Sequence, residues 1–339
     1  MISFDEAGLT TSVGSFHNKK IAVLGDLMID RYYWGAVRRI SPEAPVPVVE
    51  VENESYRLGG AANVANNIRS LGGEPFLIGL IGNDHPGSIL LEIMKEQNLR
   101  SDGIITDNAR PTTIKTRIIA HDQHVVRVDY ESKNDCPDYL EHKLIDAIRN
   151  IVHDIDAVIL EDYNKGSLTR HVIAEVIDVA RTYNKVVTVD PKIKNFLEYK
   201  GVTVFKPNLK ETGEALGRKL DSDADVTEAG TKLLKALSAQ HVLITRGERG
   251  MSLMSAGGGV LHLPTVAKHV HDVSGAGDTV VSTLTLALVA GLGIQESVAL
   301  ANCAGGVVVG KVGIVPILPE ELVASAIGME VPHTSTGFR

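Results

Sequence analysis

A chain of 339 residues, 44% of them hydrophobic, is long enough to bury a large core, and a formal net charge of −8 argues against nucleic acid as its main partner. Its two cysteines, Cys136 and Cys303, form no CxxC pair, which excludes a disulfide framework and a zinc ribbon. Met1 to Asn18 has no signal-peptide core and no apolar stretch reaches membrane-spanning length without interruption, so a cytoplasmic protein with no membrane partner is expected.

Residues 1–18 are polar and aperiodic and read as a flexible leader. Lys20 to Leu24 is a short apolar run ending at Gly25-Asp26, the pattern of a central parallel strand. No G-x-G-x-x-G follows it, which counts against a dinucleotide-dependent oxidoreductase. Prolines 42, 45 and 47 with short alternating runs predict a small projecting sheet over about 31–58, completed by two strands within 112–131 that turn near His121 to His124. Helical spacing runs from Gly59 to Leu71 and from Ile89 to Gln97, with a strand over Phe76 to Ile81 between them.

Strands and helices then alternate. Helices are predicted from Pro137, Thr169, Asn208 and Val226, and strands over Ala157 to Leu160, Val186 to Val189, Thr203 to Phe205 and His241 to Thr245. Short strands at Gly250 to Met254 and Gly259 to Leu263 precede closing helices from Ser274, Gln295 and Pro319, and 328–339 is a polar tail. Such alternation predicts a three-layer α/β/α fold with a mostly parallel central sheet, in one large domain over 19–327 that carries the small sheet as a lid.

In open sheets of this kind ligands collect at the carboxyl ends of the strands. Here those ends are polar: Asp26, Asp30 and Arg31 after the first strand, Glu161 to Gly166 with Lys165, Asp190-Pro191-Lys192, Lys206-Pro207-Asn208, and Arg246-Gly247. The segment His271 to Thr279, running into the apolar stretch Val280 to Leu292, reads as a tight loop opening a buried helix. The free N–H groups and dipole of that helix start suit an anionic oxygen, Gly275 and Gly277 allow close approach, and Asp278 sets a carboxylate beside them. A phosphate cradle with an adjacent base suits phosphoryl transfer to a hydroxyl. The plainer alternative is a glycine-rich cap whose Asp serves only its own first turn. Gly305 to Lys311 spells G-x-x-x-x-G-K, but Val312 stands where Ser or Thr would hold a metal, and the segment reads as buried helix.

Asp272-Val-Ser-Gly-Ala-Gly-Asp-Thr279 and Leu58-Gly-Gly-Ala-Ala-Asn-Val-Ala65 resemble, in order, the two signatures of the ribokinase (PfkB) family of carbohydrate kinases. The resemblance implies a ribokinase-like fold, ATP and Mg²⁺ as cofactors, a sugar or sugar phosphate as partner, and a homodimer formed through the lid. It makes Asp278 the catalytic base, with the N–H groups of Gly275, Ala276 and Gly277 as the anion hole. Asn208 and Glu211 match the N-x-x-E motif that orders Mg²⁺ through water, a spacing that is also a helix capping box. Asp26, Gly59, Gly60 and Asn63 match sugar-holding positions, and Thr245, Gly247 and Asn302 the neighbourhood of the nucleotide. Gly25 to Tyr32, Arg39 to Val48, Asp162 to Gly166 and Asp190 to Lys192 are similar to the branch of the family that phosphorylates D-glycero-β-D-manno-heptose 7-phosphate in lipopolysaccharide precursor synthesis. Ser274, where Thr is commoner, is a departure that preserves the loop. An acceptor already bearing a phosphate needs cations, for which Lys165, Lys192, Lys194, Arg31, Arg117 and Arg127 are candidates, Lys192 and Arg31 foremost. A kinase acting on fructose or a fructose phosphate, or a binding regulator on the same fold, is the rival reading. Past Ile317 too little chain remains for a second core, so a single-domain kinase releasing ADP is expected.

Overall fold

The computed structural model describes residues 2–121, 123–267 and 269–331. In chain order the first elements are β1 (Ile2–Ser3), α1 (Glu6–Gly14), β2 (Lys20–Gly25), β3 (Leu27–Ile40), β4 (Pro47–Gly60), α2 (Ala61–Ser70), β5 (Glu74–Gly82), α3 (His85–Glu96) and β6 (Ile104–Asp107). There follow β7 (Thr113–Ala120), β8 (Gln123–Tyr130), α4 (Asp138–Ile151), β9 (Ala157–Glu161), α5 (Arg170–Thr182), β10 (Val186–Asp190), β11 (Val204–Phe205), α6 (Leu209–Leu216) and α7 (Asp223–Leu237). The last are β12 (His241–Thr245), β13 (Met251–Ser255), β14 (Val260–Leu263), α8 (Ala276–Val289), α9 (Ile294–Val308), α10 (Pro319–Ala326) and β15 (Glu330–Val331).

Nine strands form the central sheet in the order β14-β13-β12-β11-β10-β9-β2-β5-β6, parallel from β12 to β6, with β13 and β14 antiparallel at one edge. Alternation along each strand feeds two cores. Ala22 and Leu24 of β2 pack with Leu144 of α4 and Val172 of α5 on one face. Ile21 and Val23 pack with Val64 of α2, Val281 of α8 and Leu300 of α9 on the other. The result is the three-layer α/β/α arrangement, with β4-β3-β7-β8 as a separate four-stranded sheet. No helix among the described residues is long and apolar enough to cross a membrane.

Residues 5–16, within the expected flexible leader, are ordered against the core. Asp5 caps α1 by accepting from the Gly8 N–H, and Leu9, Val13 and Phe16 are buried in the second core beside Leu322 and Ala326. Apolar residues at i, i+4 and i+7 are one helical face, which the intervening polar residues hide in the sequence. The expected tail over 328–339 contributes β15, which pairs with β1, and residues 332–339 lie outside the described residues. The turn expected at His121 to His124 joins β7 to β8, with Asp122 outside the described residues. Strand β6 is an addition to the predicted elements.

The strand order reverses at β2. The chain moves outward from β2 through β5 to β6, then returns to the other side of β2 with β9 and continues through β10 to β12. A crevice opens beyond the carboxyl ends of neighbouring strands at such a reversal, and the ends here are Gly25-Asp26 and Glu161-Asp162.

Candidate active site

Helix α8 starts on Gly275, whose φ of 77° is the left-handed conformation that glycine adopts without strain. A Cβ there would stand 2.9 Å from Asn63 Nδ2, so the loop also needs the missing side chain for space. Asp278, in the first turn, is fully buried. Its Oδ2 accepts from Asn63 Nδ2 at 2.7 Å and its Oδ1 from the Tyr163 hydroxyl at 2.8 Å. Burial pushes the Asp278 carboxyl up to about 6, against the opposing hydrogen bond from Asn63 and reinforced by the charge of Asp190. Each carboxylate oxygen keeps a lone pair for a further donor, so an acceptor hydroxyl has room to bind.

Asp190 and Glu161 face Asp278 from the ends of β10 and β9, where they are paired in register, and one oxygen from each of the three carboxylates lies within 4.8 Å of the other two. Lys206 Nζ contacts Asp190 at 2.7 Å, with both side chains almost sealed from solvent. Both Glu161 oxygens are buried without a hydrogen-bond partner among the described residues, and burial, with the charges of Asp190 and Asp278, holds that carboxyl well above its ordinary value. A Cβ on Gly277 would lie 3.3 Å from Asp190 Oδ2 and 3.5 Å from Lys206 Nζ, which puts the ion pair against the first turn of α8. Lys206 was visible in the sequence as a strand-end residue, but nothing local set it apart from its neighbours.

In front of this helix start lies a cavity of about 820 Å³, lined by Gly275, Ala276, Gly277 and Asp278, by Asp190, Lys192, Lys206 and Asn208, and by Thr245, Gly247 and Asn302. That volume suits a nucleotide-sized ligand. Asn302 is held by its Nδ2 donating to Pro264 O at 2.8 Å. Gly305 and Gly306 are on helix α9, as their apolar surroundings predict, yet they too border the cavity. Asn208 and Glu211 form a complete capping box on α6, Oδ1 of Asn208 accepting from the Glu211 N–H at 2.8 Å and Oε2 of Glu211 from the Asn208 N–H at 2.9 Å. Glu211 Oε1 accepts from Lys192 Nζ at 2.6 Å. Burial lowers the Lys192 ammonium, but Asp190 and Glu211 outweigh it and raise the group above its ordinary value. The hard oxygens of Glu211, Asp190 and Glu161, two of them without partners, are the donor chemistry that Mg²⁺ takes, directly or through water.

On the lid side of Asp278 the expected sugar residues divide. Asp26 staples the loop after β9, accepting from the N–H groups of Tyr163 at 2.8 Å, Lys165 at 2.9 Å and Ser167 at 3.1 Å. This holds Tyr163 in place for its bond to Asp278. Gly59 and Gly60 leave room for Asp30 and for the Asp26 carbonyl: added Cβ atoms would come within 2.2 Å and 2.4 Å of them, and Gly60 has a φ of 57°. Asp30 is buried against Arg117, the two in a close ion pair. Burial raises the Asp30 carboxyl, with Arg117 opposing the shift.

Arg31 is not brought to the site. Side chains alternate along β3, so Arg31 shares a face with its register partner Thr116, whose Oγ1 accepts from Arg31 Nε at 3.0 Å. Asp30 and its partner Lys115 are on the other face, toward Tyr163. Lys192 stands with Glu211 on the cavity side, and Lys194 is paired with the exposed Asp135. Lys165 remains on the lid side, its Nζ 2.7 Å from Glu131.

A buried carboxylate beside a helix start, with a lysine and hard oxygen donors facing a nucleotide-sized cavity, is equipped to deprotonate a hydroxyl and steady a phosphoryl group in transfer. Residues 18–321 match the family described as pfkB family carbohydrate kinase. The chain is 43% identical over 303 residues to the bifunctional protein HldE of Geobacter sulfurreducens, and 44% identical over 295 residues to that of Helicobacter pylori. These alignments cover 89% and 87% of the chain but 62% and 64% of the relatives, so the chain spans less than two thirds of their length. Among solved structures, Arabidopsis thaliana ribokinase complexed with ribose and ATP superposes with a TM-score of 0.72 at 19% identity, covering 91% of this chain and 99% of that one. Escherichia coli phosphofructokinase-2 in complex with potassium gives 0.75 at 18% identity, covering 91% and 98%. These structural likenesses establish the ribokinase-like fold, and the family match over residues 18–321 shows that the chain belongs to the pfkB family of carbohydrate kinases.

Proposed function

We propose that the chain transfers the γ-phosphoryl group of ATP to the anomeric hydroxyl of D-glycero-β-D-manno-heptose 7-phosphate, giving the 1,7-bisphosphate and ADP. The observation that carries the chemistry is Asp278, sealed at the first turn of α8 between Asn63 and Tyr163 and bordering the 820 Å³ cavity. The carboxylate takes the proton of the anomeric hydroxyl, whose oxygen bonds to the γ-phosphorus as the bond to the bridging oxygen of ADP breaks. The N–H groups of Gly275 and Gly277 and the Lys206 ammonium would steady the charge that develops on the transferred group, the Ala276 N–H being engaged by the Val273 carbonyl at 3.3 Å. When bound, Mg²⁺ would neutralise phosphate charge, and Asn208 and Glu211 would hold it through water, with the carboxylates of Asp190 and Glu161 as further oxygen donors beside them. The choice of sugar is supported by the sequence similarity of Gly25 to Tyr32, Arg39 to Val48 and Asp162 to Gly166 to the heptose-phosphate branch.

Incubating the purified protein with ATP and heptose 7-phosphate and resolving products by mass tests this reading. ADP and a heptose bisphosphate are expected. Turnover of fructose or fructose 6-phosphate with heptose 7-phosphate left untouched would move the assignment to a fructose-type kinase, and release of pyrophosphate would refute the single phosphoryl transfer.

The capping box and the metal role of Asn208 are separable. Asn208→Ala is expected to cost about 1 kcal/mol in a urea melt through the lost cap and, independently, to raise the KM for Mg–ATP. The stability loss with an unchanged KM would leave Asn208 as a cap alone.

We also infer a homodimer through the lid. Val126, Val128 and Tyr130 of the edge strand β8 point to the face away from Lys115, and all three are about half exposed or more. An edge strand with an apolar face is what a second copy would cover. Light scattering should give the mass of a dimer, and Val128→Asp should shift it toward the monomer; a wild-type monomer at all concentrations would rule the arrangement out.

A further inference from the structure

We propose that Lys115 and Lys165, backed by Arg127, form the subsite for the phosphate already present on the acceptor sugar, an inference that rests on reading the acceptor as a sugar phosphate. Lys115 on β7 and Lys165 in the loop after β9 lie on the cleft side of the lid, their side chains only 14% and 12% exposed. They are close enough that the charge of Lys165 disfavours the charged form of Lys115, whose ammonium is lowered chiefly by burial. Two ammonium groups withdrawn from water and set against each other are costly unless an anion joins them.

The carboxylates present do this only in part. Glu131 meets Lys165 at 2.7 Å. Asp129 is 3.9 Å from Lys115, beyond hydrogen-bond reach, because both its oxygens accept from Arg127, at 2.9 Å and 3.0 Å. Lys133, 3.9 Å from Glu131, completes the cluster. Arg127 and Lys133 are more than half exposed, so the sheltered groups are Lys115 and Lys165 with Asp129 and Glu131, and neither of these acids is within hydrogen-bond reach of Lys115. A phosphate monoester, which carries about −1.5 to −2 at neutral pH, would supply the anion that Lys115 lacks.

The position is also right. Tyr163 reaches from the base to the cluster, its hydroxyl on Asp278 Oδ1 and its ring centroid 5.9 Å from Lys115 Nζ. An acceptor laid along Tyr163 presents one end to Asp278 and the other to the lysines. Lys192 Nζ also approaches this ring, 5.1 Å from its centroid, but it is bonded to Glu211 on the nucleotide-sized cavity. Arg31 is bonded to Thr116 on the opposite face of β3, and Arg117 is paired with buried Asp30.

Calorimetric titration of the intact protein with heptose 7-phosphate and with the unphosphorylated heptose, and likewise with fructose 6-phosphate and fructose, tests the subsite. The wild type should favour the phosphorylated member of at least one pair. Lys115→Met and Lys165→Met should each weaken that member about 10- to 100-fold, the scale of a charge-assisted hydrogen bond, with the unphosphorylated sugar and ATP unaffected. Arg31→Met should change none of these affinities. Where a methionine variant fails to bind ATP, the glutamine variant at the same position is read in its place. Undiminished binding of the sugar phosphate by variants that bind ATP normally, or a wild type indifferent to the phosphate, would overturn the subsite. Lysine-dependent binding of heptose 7-phosphate without turnover would overturn the assigned reaction and keep the subsite. Turnover of heptose 7-phosphate with lysine-independent affinity would do the reverse.

Discussion

Asp278→Asn is expected to lower kcat by about 10²- to 10⁴-fold, the range for a lost general base, while ATP and sugar affinities stay near those of the wild type. The site accommodates the amide: its oxygen can accept from Asn63 Nδ2 as Oδ2 does now, and its NH₂ can donate to the Tyr163 oxygen once that hydroxyl turns. The loss is therefore chemical and not one of folding. The wild-type pH profile carries a second signature. A base whose carboxyl is raised to about 6 is ionised above that pH and protonated below it, so kcat/KM should fall about tenfold per pH unit on the acid side of 6. The residual activity of the variant should lack this limb. A variant with near-normal turnover, or one that keeps the limb, would remove Asp278 from proton transfer.

What was legible in the sequence was whatever repeats locally. Alternating apolar runs gave the sheet and its layers, and the polar strand ends placed Asp26, Asp190 and Lys206 on one edge, because parallel strands deliver their carboxyl ends together. The glycines ahead of Asp278 announced a helix start, since Gly275 needs a conformation that other residues resist. Partnerships between distant segments were not legible. Asp30 and Arg117 meet only through the register of β3 on β7, and that same register sends Arg31 to the outward face, although it is the next residue along the chain. Nor does the sequence show that Asp26 staples the loop after β9, because its three N–H partners lie more than 130 residues away. Helix α1 escaped notice because three buried positions among polar ones show a pattern only once the face they share has something to pack against.

Lys206→Met should be the most disruptive single change near the site. Lys206 is the cation in contact with Asp190, and its charge favours the ionised forms of both Asp278 and Glu161. Removing one partner of a sealed ion pair costs about 3–5 kcal/mol, because the remaining charge has neither water nor counter-ion. The sign of the pH dependence follows from the raised Asp278 carboxyl. A carboxyl whose folded value exceeds its unfolded one contributes stability below the unfolded value of about 3.8 and loses it as pH rises through the folded value, here about 6. Without Lys206 the folded value climbs further, so the stability deficit against the wild type should be small near pH 4 and grow through pH 6 and above. The acid limb of kcat/KM should move to higher pH in the same variant, because a base deprived of its cation holds its proton more tightly. Lys206→Arg, which keeps the charge, should recover most of the stability and return the limb toward its wild-type position. Denaturant melts and kcat/KM profiles of the three proteins across pH 4 to 9 measure both effects. A Lys206→Met protein whose deficit is independent of pH, with its acid limb unmoved, would mean that the lysine contributes packing alone and does not set the protonation of the acids around it.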